Sequence, residues 1–185
     1  MLFANLAFAL SAGECVHVQG DNGSGKTSLL RLLVGLSPAE SGEIHWRGEL
    51  QAESTMREDL IYIGHHAAVN GDLSALENLH FAALRDGGVL DANQAHNALR
   101  RMGLRGREDL PVRVLSAGQK RRVLLSQLLI RQAKLWVLDE AFNALDVGAV
   151  DVLNELIAEH LGSGGALVLT SHQPLAIANL QVLKL

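Results

Sequence analysis

The sequence has little cysteine and no large excess of charge of either sign. Cys15 is the single cysteine, which excludes an internal disulfide framework and is typical of a reducing compartment. Lys and Arg number 16 against 20 Asp and Glu, so the net charge is −4. The chain therefore lacks the basic surplus of a protein that binds nucleic acid through phosphate contacts. The eight histidines include no pair at zinc-ligand spacing backed by cysteines, so we predict neither a nucleic-acid partner nor a zinc site.

The sequence also lacks a segment typical of a membrane span. Residues 1–13 and 161–183 contain no Asp, Glu, Lys or Arg. The first stretch has no basic start, which a secretory signal needs, and the second is broken by glycines, a histidine and a proline. With 185 residues, of which 48% are hydrophobic, the chain can form one well-packed core. We predict a single soluble, cytosolic domain.

Strand patterns alternate with helix patterns along the chain, which predicts a parallel α/β core. Between about residues 73 and 130 the pattern is helical throughout, as expected for a helical block inserted into that core. The predicted strands are 6–10, 15–19, 43–46, 60–63, 135–138 and 166–170, and the predicted core helices are 28–36 and 147–161.

A glycine-rich segment follows the predicted strand 15–19 and matches the pattern Gly-x4-Gly-Lys-Thr from Gly20 to Thr27. Glycines allow the backbone to turn its N–H groups toward phosphate oxygens at a helix N-terminus. We expect Lys26 to act catalytically on the β- and γ-phosphates and the Thr27 hydroxyl to ligate Mg²⁺. A chance glycine-rich turn is the alternative. The predicted nucleotide-binding residues are Gly20, Asp21, Asn22, Gly23, Ser24, Gly25, Lys26, Thr27 and Ser28.

Two acidic residues, Asp139 and Glu140, end the apolar strand at residues 135–138. Acids at the carboxyl end of a parallel strand face the ligand crevice. We expect Asp139 to hold Mg²⁺ and Glu140 to orient and polarise the attacking water. Considered alone, the pair would indicate only an ordinary strand end with solvated acids.

A third motif is Leu115-Ser-Ala-Gly-Gln119. Together with the loop and the carboxylates, it resembles the signature Leu-Ser-Gly-Gly-Gln of ATP-binding-cassette (ABC) ATPases, with Ala117 in place of a glycine. Ser116 is predicted to cap a helix that runs to about residue 131, so that its hydroxyl and the first N–H groups form an anion site. The resemblance implies that Ser116, Gly118 and Gln119 contact ATP. Considered alone, the motif would be an ordinary helix cap.

Further residues resemble ABC elements in the same order along the chain. Residues 144–146 resemble the loop that crosses the dimer interface, and His172 resembles the switch histidine that contacts the γ-phosphate and supports Glu140. His65 falls where the family has a glutamine; an imidazole there can still bond to water or phosphate, with a different response to pH. Neither His65 nor His66 is expected to bind haem or a metal.

The resemblance implies a P-loop NTPase fold of the RecA-like kind. We expect the parallel-sheet core at about residues 1–66 and 132–185, an inserted helical subdomain at about 67–131, and a small N-terminal antiparallel β part. ABC cassettes usually carry one more strand and an adenine-stacking aromatic residue before the strand at 6–10. The sequence leads us to expect that both are missing, through truncation or a late start codon, and we assign no adenine contact.

Several details resemble one branch of the family, the ATP-binding subunits of bacterial cytochrome c biogenesis haem exporters. They include His65-His66, the run from Leu115 to Arg122, and the run from Thr170 to Leu175. The resemblance implies an ATP- and Mg²⁺-dependent ATP hydrolase, acting as a homodimer on integral-membrane transporter subunits at the cytoplasmic face of the bacterial inner membrane. The alternatives are a soluble ABC ATPase without a membrane partner and an ABC ATPase that exports another substrate.

Overall fold

The computed structural model describes residues 3–65, 68–173, 175, 177–178 and 180–185. The chain divides into two compact units. The first unit comprises Met1–Ile63, Ala133–Glu140 and Ala158–Leu185, and the second comprises Gly64–Gln132 and Ala141–Ile157. Across the described ranges, no helix is both long and apolar enough to cross a lipid bilayer.

The helices and strands follow one another in the order expected of an α/β chain with a helical insertion. The strands are β1 (Cys15–Gln19), β2 (His45–Trp46), β3 (Glu49–Leu50), β4 (Leu60–Ile63), β5 (Leu135–Asp139), β6 (Ala166–Thr170) and β7 (Leu180–Lys184). The helices are α1 (Lys26–Leu33), α2 (Met56–Asp59), α3 (Ala75–Arg85), α4 (Ala92–Arg101), α5 (Ala117–Leu125), α6 (Gln127–Ile130) and α7 (Val147–Gly162).

The first unit is built on a parallel five-stranded sheet in the order β4-β5-β6-β1-β7. Every residue of β5 and β6 is buried, as their continuous apolar runs predict for strands covered on both faces. The pairing of β5 with β6 sets Leu138 opposite Leu169 and Asp139 opposite Thr170. This register brings the polar carboxyl ends of the two central strands side by side, which confirms the predicted parallel α/β core.

A small antiparallel hairpin, formed by β2 and β3, confirms the predicted antiparallel part. Arg47 and Gly48 connect the two strands with φ angles of 53° and 86°. Two consecutive positive φ angles are typical of the tight turn whose twist matches that of a hairpin.

The predicted strand at residues 6–10 is wrong. The structure has no strand among the described residues 3–14, although Leu6, Phe8 and Leu10 do pack against the core of the first unit. Alternating apolar residues identify which side chains turn inward, but a strand also needs a neighbouring strand to bond to.

Strand β7 is absent from the sequence-based prediction. It pairs in parallel with β1, from Cys15 opposite Leu180 to Gln19 opposite Lys184. Most of its side chains are exposed, so it lacks the continuous buried run that marks β5 and β6.

The second unit is a cluster of helices around its own apolar core, which includes Leu79, Leu99 and Val123. Ser74 and Glu77 form a capping box at the start of α3, and Asp91 caps α4. The predicted single helix from Ser116 to about residue 131 is wrong in its extent. It ends at Leu125, and α6 follows after Ser126. The Ser126 hydroxyl and the Ser126 backbone N–H both donate to the Arg122 carbonyl oxygen, at 2.8 Å and 2.9 Å. A serine hydroxyl bonded in this way slightly destabilises a helix and often bends it.

Candidate active site

The glycine-rich loop connects β1 directly to α1, as predicted. Gly23 and Gly25 have φ angles of 85° and 103°, which non-glycine residues rarely adopt. Among the described residues, no side chain caps the N-terminus of α1. The first N–H groups of the helix therefore point into the loop, where an anion can accept their hydrogen bonds.

The loop has the close packing and the polar atoms of an anion cradle. A side chain at Gly20 would place its Cβ 2.5 Å from the Ser24 Oγ and 3.0 Å from the Leu185 carbonyl oxygen. The Ser24 Oγ is buried and has no hydrogen-bond partner among the described residues. Lys26 Nζ donates to the carbonyl oxygens of Gly20 at 2.7 Å and Asp21 at 3.0 Å. A phosphate oxygen carries negative charge, so the Lys26 ammonium group would bind it more strongly than it binds these two neutral carbonyl oxygens.

Asp139 lies at the end of β5 with both carboxylate oxygens hydrogen-bonded. The Thr27 hydroxyl donates to Oδ2 at 2.8 Å, and the Thr170 hydroxyl donates to Oδ1 at 2.8 Å. The Asp139 side chain is buried, and its negative charge adds to burial in raising the pKa of Tyr62 on β4. Burial is the larger of these two causes.

The oxygens of Thr27 and Asp139 form a donor set that suits Mg²⁺. Magnesium prefers hard oxygen ligands and usually takes only one or two from the protein, the rest coming from water and substrate phosphates. In the part of the chain that the structure describes, no cluster of three or more His, Cys, Asp or Glu residues could hold a metal ion. Thr27 and Asp139 therefore fit a magnesium site that has few protein ligands and is completed by phosphate oxygens.

Glu140 follows Asp139 with an unusual backbone geometry. Its φ angle is 52°, in the left-handed region, and its backbone N–H donates to the Thr170 hydroxyl oxygen at 2.9 Å. His172 Nε2 lies 3.3 Å from Glu140 Oε1, and the two side chains are 59% and 11% exposed respectively. A strained backbone of this kind is common where a side chain must be aimed at a ligand.

Sequence reasoning missed Thr170. Its hydroxyl donates to the Asp139 carboxylate and accepts from the Glu140 backbone N–H, so one side chain holds the carboxylate of the first acid and the backbone of the second. The only available signal was a hydroxyl residue at the carboxyl end of a buried strand.

The second unit holds the signature segment. Ser116 and Gln119 form a capping box, in which the Ser116 hydroxyl accepts from the Gln119 N–H at 3.2 Å and Gln119 Oε1 accepts from the Ser116 N–H at 3.0 Å. The predicted helix cap is therefore confirmed. A Cβ at Gly118 would lie 2.6 Å from the Ala144 carbonyl oxygen, so only glycine allows the helix start to approach this loop so closely. Arg122 forms an ion pair with Asp146 in the same loop.

His65 lies in the second unit, just after β4, with an exposed side chain. Its carbonyl oxygen accepts from Arg121 Nη1 at 3.5 Å, and that of Gly64 accepts from the same nitrogen at 2.7 Å. The structure thus groups Lys26, Asp139, Glu140 and His172 in the first unit. Ser116, Gly118, Gln119 and His65 belong to the second. His66 lies outside the described residues.

A parallel sheet with a phosphate loop and paired carboxylates, accompanied by a helical unit that carries the signature, defines an ABC-type ATPase. The chain belongs to the ABC transporter family, which matches residues 3–143. It is 49% identical over 183 residues to the cytochrome c biogenesis ATP-binding export protein CcmA of Shigella flexneri and 48% identical to that of Escherichia coli strain K12. Each match covers 98% of this chain and 86% of the relative.

Solved structures confirm the fold. An ABC transporter ATP-binding protein from Pyrococcus furiosus superposes with a TM-score of 0.83 at 24% identity, over 95% of this chain and 86% of that one. The dimeric structure of a bacterial ABC transporter cassette gives a TM-score of 0.85 at 21% identity, over 99% of this chain and 86% of that one. ABC domains therefore dimerise in at least one structure that shares this fold.

Proposed function

We propose that this chain is the ATP-hydrolysing subunit of an exporter in cytochrome c biogenesis, and that the exported species is haem. The branch assignment is supported by relatives at 48–49% identity that are named as cytochrome c biogenesis export proteins. The hydrolytic role is carried by one observation, the 3.3 Å contact between His172 Nε2 and Glu140 Oε1, beside the buried Asp139.

The phosphate loop and Lys26 hold the β- and γ-phosphates of ATP. Glu140 accepts a proton from water as the water oxygen attacks the γ-phosphorus, and the bond to the β–γ bridging oxygen breaks. His172 orients the Glu140 carboxylate and contacts the γ-phosphate. The Glu140 carboxylate suits this role because it is nearly buried and its backbone is held by Thr170.

Thr27 and Asp139 are the residues that would hold Mg²⁺. When bound, the ion neutralises phosphate charge. Thr170 keeps the Asp139 carboxylate in place through the hydrogen bond to Oδ1, which leaves Oδ2 to face the loop.

The proposed assembly is a homodimer bound to integral-membrane subunits at the cytoplasmic face of the inner membrane. Ser116, Gly118 and Gln119 of one chain contact the ATP held by the phosphate loop of its partner, and His65 contacts water or phosphate. The dimeric cassette of the same fold supports such a pairing.

Complementation tests the export function. The chain is expressed in an Escherichia coli strain that lacks its own cytochrome c biogenesis ATP-binding export protein, together with any membrane-protein genes that neighbour its own. Recovery of covalent haem in c-type cytochromes, measured on haem-stained gels, is the expected result, and Lys26→Ala serves as the inactive control. A chain that hydrolyses ATP without restoring the cytochromes would overturn the haem assignment and favour an ATPase with another cargo or with no membrane partner.

A further inference from the structure

Strand β1 contains two polar residues where a central strand is normally apolar. His17 is 5% exposed and lies between Val16 and Val18, which are 1% and 0% exposed. Burying an imidazole in such surroundings costs free energy unless its nitrogens are hydrogen-bonded. The contacts of His17 therefore indicate why a histidine is present at this position.

Both ring nitrogens of His17 have partners. Nε2 lies 3.1 Å from the Ser171 carbonyl oxygen, and Nδ1 lies 3.1 Å from the side-chain Nε2 of Gln19. A carbonyl oxygen can only accept, so the proton is on Nε2, and Nδ1 accepts from the Gln19 amide. Gln19 thus selects the neutral tautomer that donates to Ser171.

Ser171 lies just past the end of the sheet pairing. The β1–β6 register ends with His17 opposite Leu169, and the β5–β6 register ends with Asp139 opposite Thr170. The His17 side chain therefore donates a hydrogen bond to Ser171, which lies beyond the last residue of β6 that pairs with β1 or β5. It therefore fixes the first residue of the loop that leaves β6.

That loop is closed on itself around His172. The Ser171 hydroxyl donates to the Gln173 carbonyl oxygen at 3.2 Å, and the Gln173 N–H donates to the Ser171 hydroxyl oxygen at 2.9 Å. His172 lies between these two residues and contacts Glu140. Because the turn is internally bonded, holding the Ser171 carbonyl also orients the residue that follows it.

We propose that His17, with its tautomer selected by Gln19, is a positioning residue that anchors the Ser171 carbonyl and thereby aims His172 at Glu140. The proposal rests on the proposed role of His172 in hydrolysis. An aliphatic residue at position 17 would pack well in the sheet, but it would leave the Ser171 carbonyl without this donor. The His172 ring would then sample more positions, so that turnover slows while ATP binding by the loop after β1 persists.

The test compares His17→Leu with His17→Gln in the full chain, with Cys15→Ala as a control for a buried change in the same strand. His17→Leu should lower kcat about tenfold, the usual size of losing one oriented hydrogen bond, with KM for ATP within about twofold. The amide of His17→Gln can still donate to the Ser171 carbonyl and should recover most of kcat. Cys15→Ala should retain the kcat of the parent chain per folded molecule.

A second set of variants separates positioning from a general effect on folding. In a His172→Ala background, His17→Leu should lower kcat no further, because the residue it positions has been removed. An equal loss in both backgrounds, or an unchanged kcat in His17→Leu, would overturn the proposal. If His17→Leu does not fold, Gln19→Leu replaces it in the same cycle, with an expected loss of about threefold from the weakened tautomer preference.

The same cycle distinguishes failure of this inference from failure of the proposed function. A His172→Ala chain with normal turnover would remove His172 from hydrolysis and this inference with it. A slow His172→Ala chain beside a fully active His17→Leu chain would overturn the positioning role of His17 alone.

Discussion

The hydroxyl of Thr170 lies 2.8 Å from Asp139 Oδ1 while also accepting the backbone N–H of Glu140 at 2.9 Å. Thr170 and Asp139 are opposite each other in the β5–β6 register, and both are almost completely buried. One hydroxyl therefore fixes the proposed metal ligand, Asp139, and the backbone of the proposed catalytic base, Glu140, together. Such a group is costly to remove because its partners stay buried.

Thr170→Val tests this relationship. The substitution keeps the side-chain shape but removes a donor to a buried carboxylate, so it should lower the free energy of unfolding by about 1–3 kcal/mol. ATP hydrolysis should fall as well, because Glu140 loses its backbone anchor. Thr170→Ser keeps the hydroxyl and should retain most of both properties. Urea unfolding and a phosphate-release assay on the three chains provide the measurements, and equal stability in Thr170→Val and Thr170→Ser would contradict the expectation.

Glu140→Gln should separate ATP binding from hydrolysis. The amide retains the size of the carboxylate but cannot accept a proton from water, so turnover should fall roughly 100-fold or more while nucleotide affinity changes little. Fluorescent-nucleotide binding and phosphate release measure the two effects. Glu155→Gln, an exposed change on α7, is the matched control and should behave as the parent chain. Near-normal turnover in Glu140→Gln would remove Glu140 from its proposed role.

The parts of the site that are predictable from sequence are those carried by contiguous residues. Two such parts are the loop from Gly20 to Thr27 and the Asp139–Glu140 pair. Each depends on the backbone geometry of a short segment, and that geometry requires particular residue types at a fixed spacing. The predicted bounds of β1, β4 and β6 agree with the structure. For β6 the signal is a continuous apolar run, and for β1 it is the short segment directly before the glycine-rich loop.

The unpredicted parts depend on contacts between residues far apart in the chain. β7 forms along the edge of β1 that β6 leaves free. Leu6, Phe8 and Leu10 pack against the core without a neighbouring strand. The polar pair His17 and Gln19 carries no local motif, since its partner Ser171 is more than 150 residues away. Such contacts depend on which strands lie next to each other in the sheet. The spacing of apolar residues along the sequence does not predict that arrangement.

His160 should make stability depend on pH. Its ring is stacked on Trp136 at 3.9 Å between centroids, and Nε2 lies 3.0 Å from the Ala166 carbonyl oxygen. Burial lowers the pKa of His160 below its ordinary value. The hydrogen bond to the Ala166 carbonyl oxygen raises the pKa and the charge of Lys134 lowers it, but burial is the largest effect. The unfolded chain therefore binds a proton before the folded chain does, so stability is complete above about pH 6.5 and is lost as the pH falls below it.

His160→Phe keeps a stacked ring and removes the titration. Its urea midpoint should vary less between pH 7 and pH 5 than that of the parent chain, even if the midpoint is lower overall. His96→Gln removes a histidine from α4 without altering the Trp136 stack, and should retain the parent slope. Parallel pH profiles for the parent and His160→Phe would show that protonation of His160 does not limit stability.

Gly118 should tolerate no side chain. Its Cβ would lie 2.6 Å from the Ala144 carbonyl oxygen, whereas a Cβ at Gly148, near the start of α7, meets nothing within 4 Å. Gly118→Ala should therefore displace the loop at Ala144, lower the free energy of unfolding by about 1–3 kcal/mol and slow hydrolysis. Gly148→Ala should leave stability equal or higher, since alanine favours helix. Equal thermal midpoints for the two variants would show that the loop moves aside freely.

Lys26 and Ser116 should act on the same ATP only across two chains. In the proposed homodimer, the phosphate loop of one chain pairs with the signature segment of the other, and the two-fold axis then forms two equivalent sites. Lys26→Ala and Ser116→Arg should each abolish activity alone. In a heterodimer of the two, one composite site collects both defects and the other collects none.

Mixing the two inactive chains should consequently restore ATPase activity. Random pairing makes half of the dimers heterodimers with one intact site each, so the mixture should approach a quarter of the parent activity. The specific activity of the parent chain should also rise with protein concentration below the dimer dissociation constant, because in the proposed arrangement each complete site needs two chains. The mixture is compared with Lys26→Ala mixed with Lys26→Ala,Ser116→Arg, in which no pairing yields an intact site. No recovery on mixing, together with a constant specific activity in a preparation shown to be monomeric, would place a complete site within one chain and refute the shared-site arrangement.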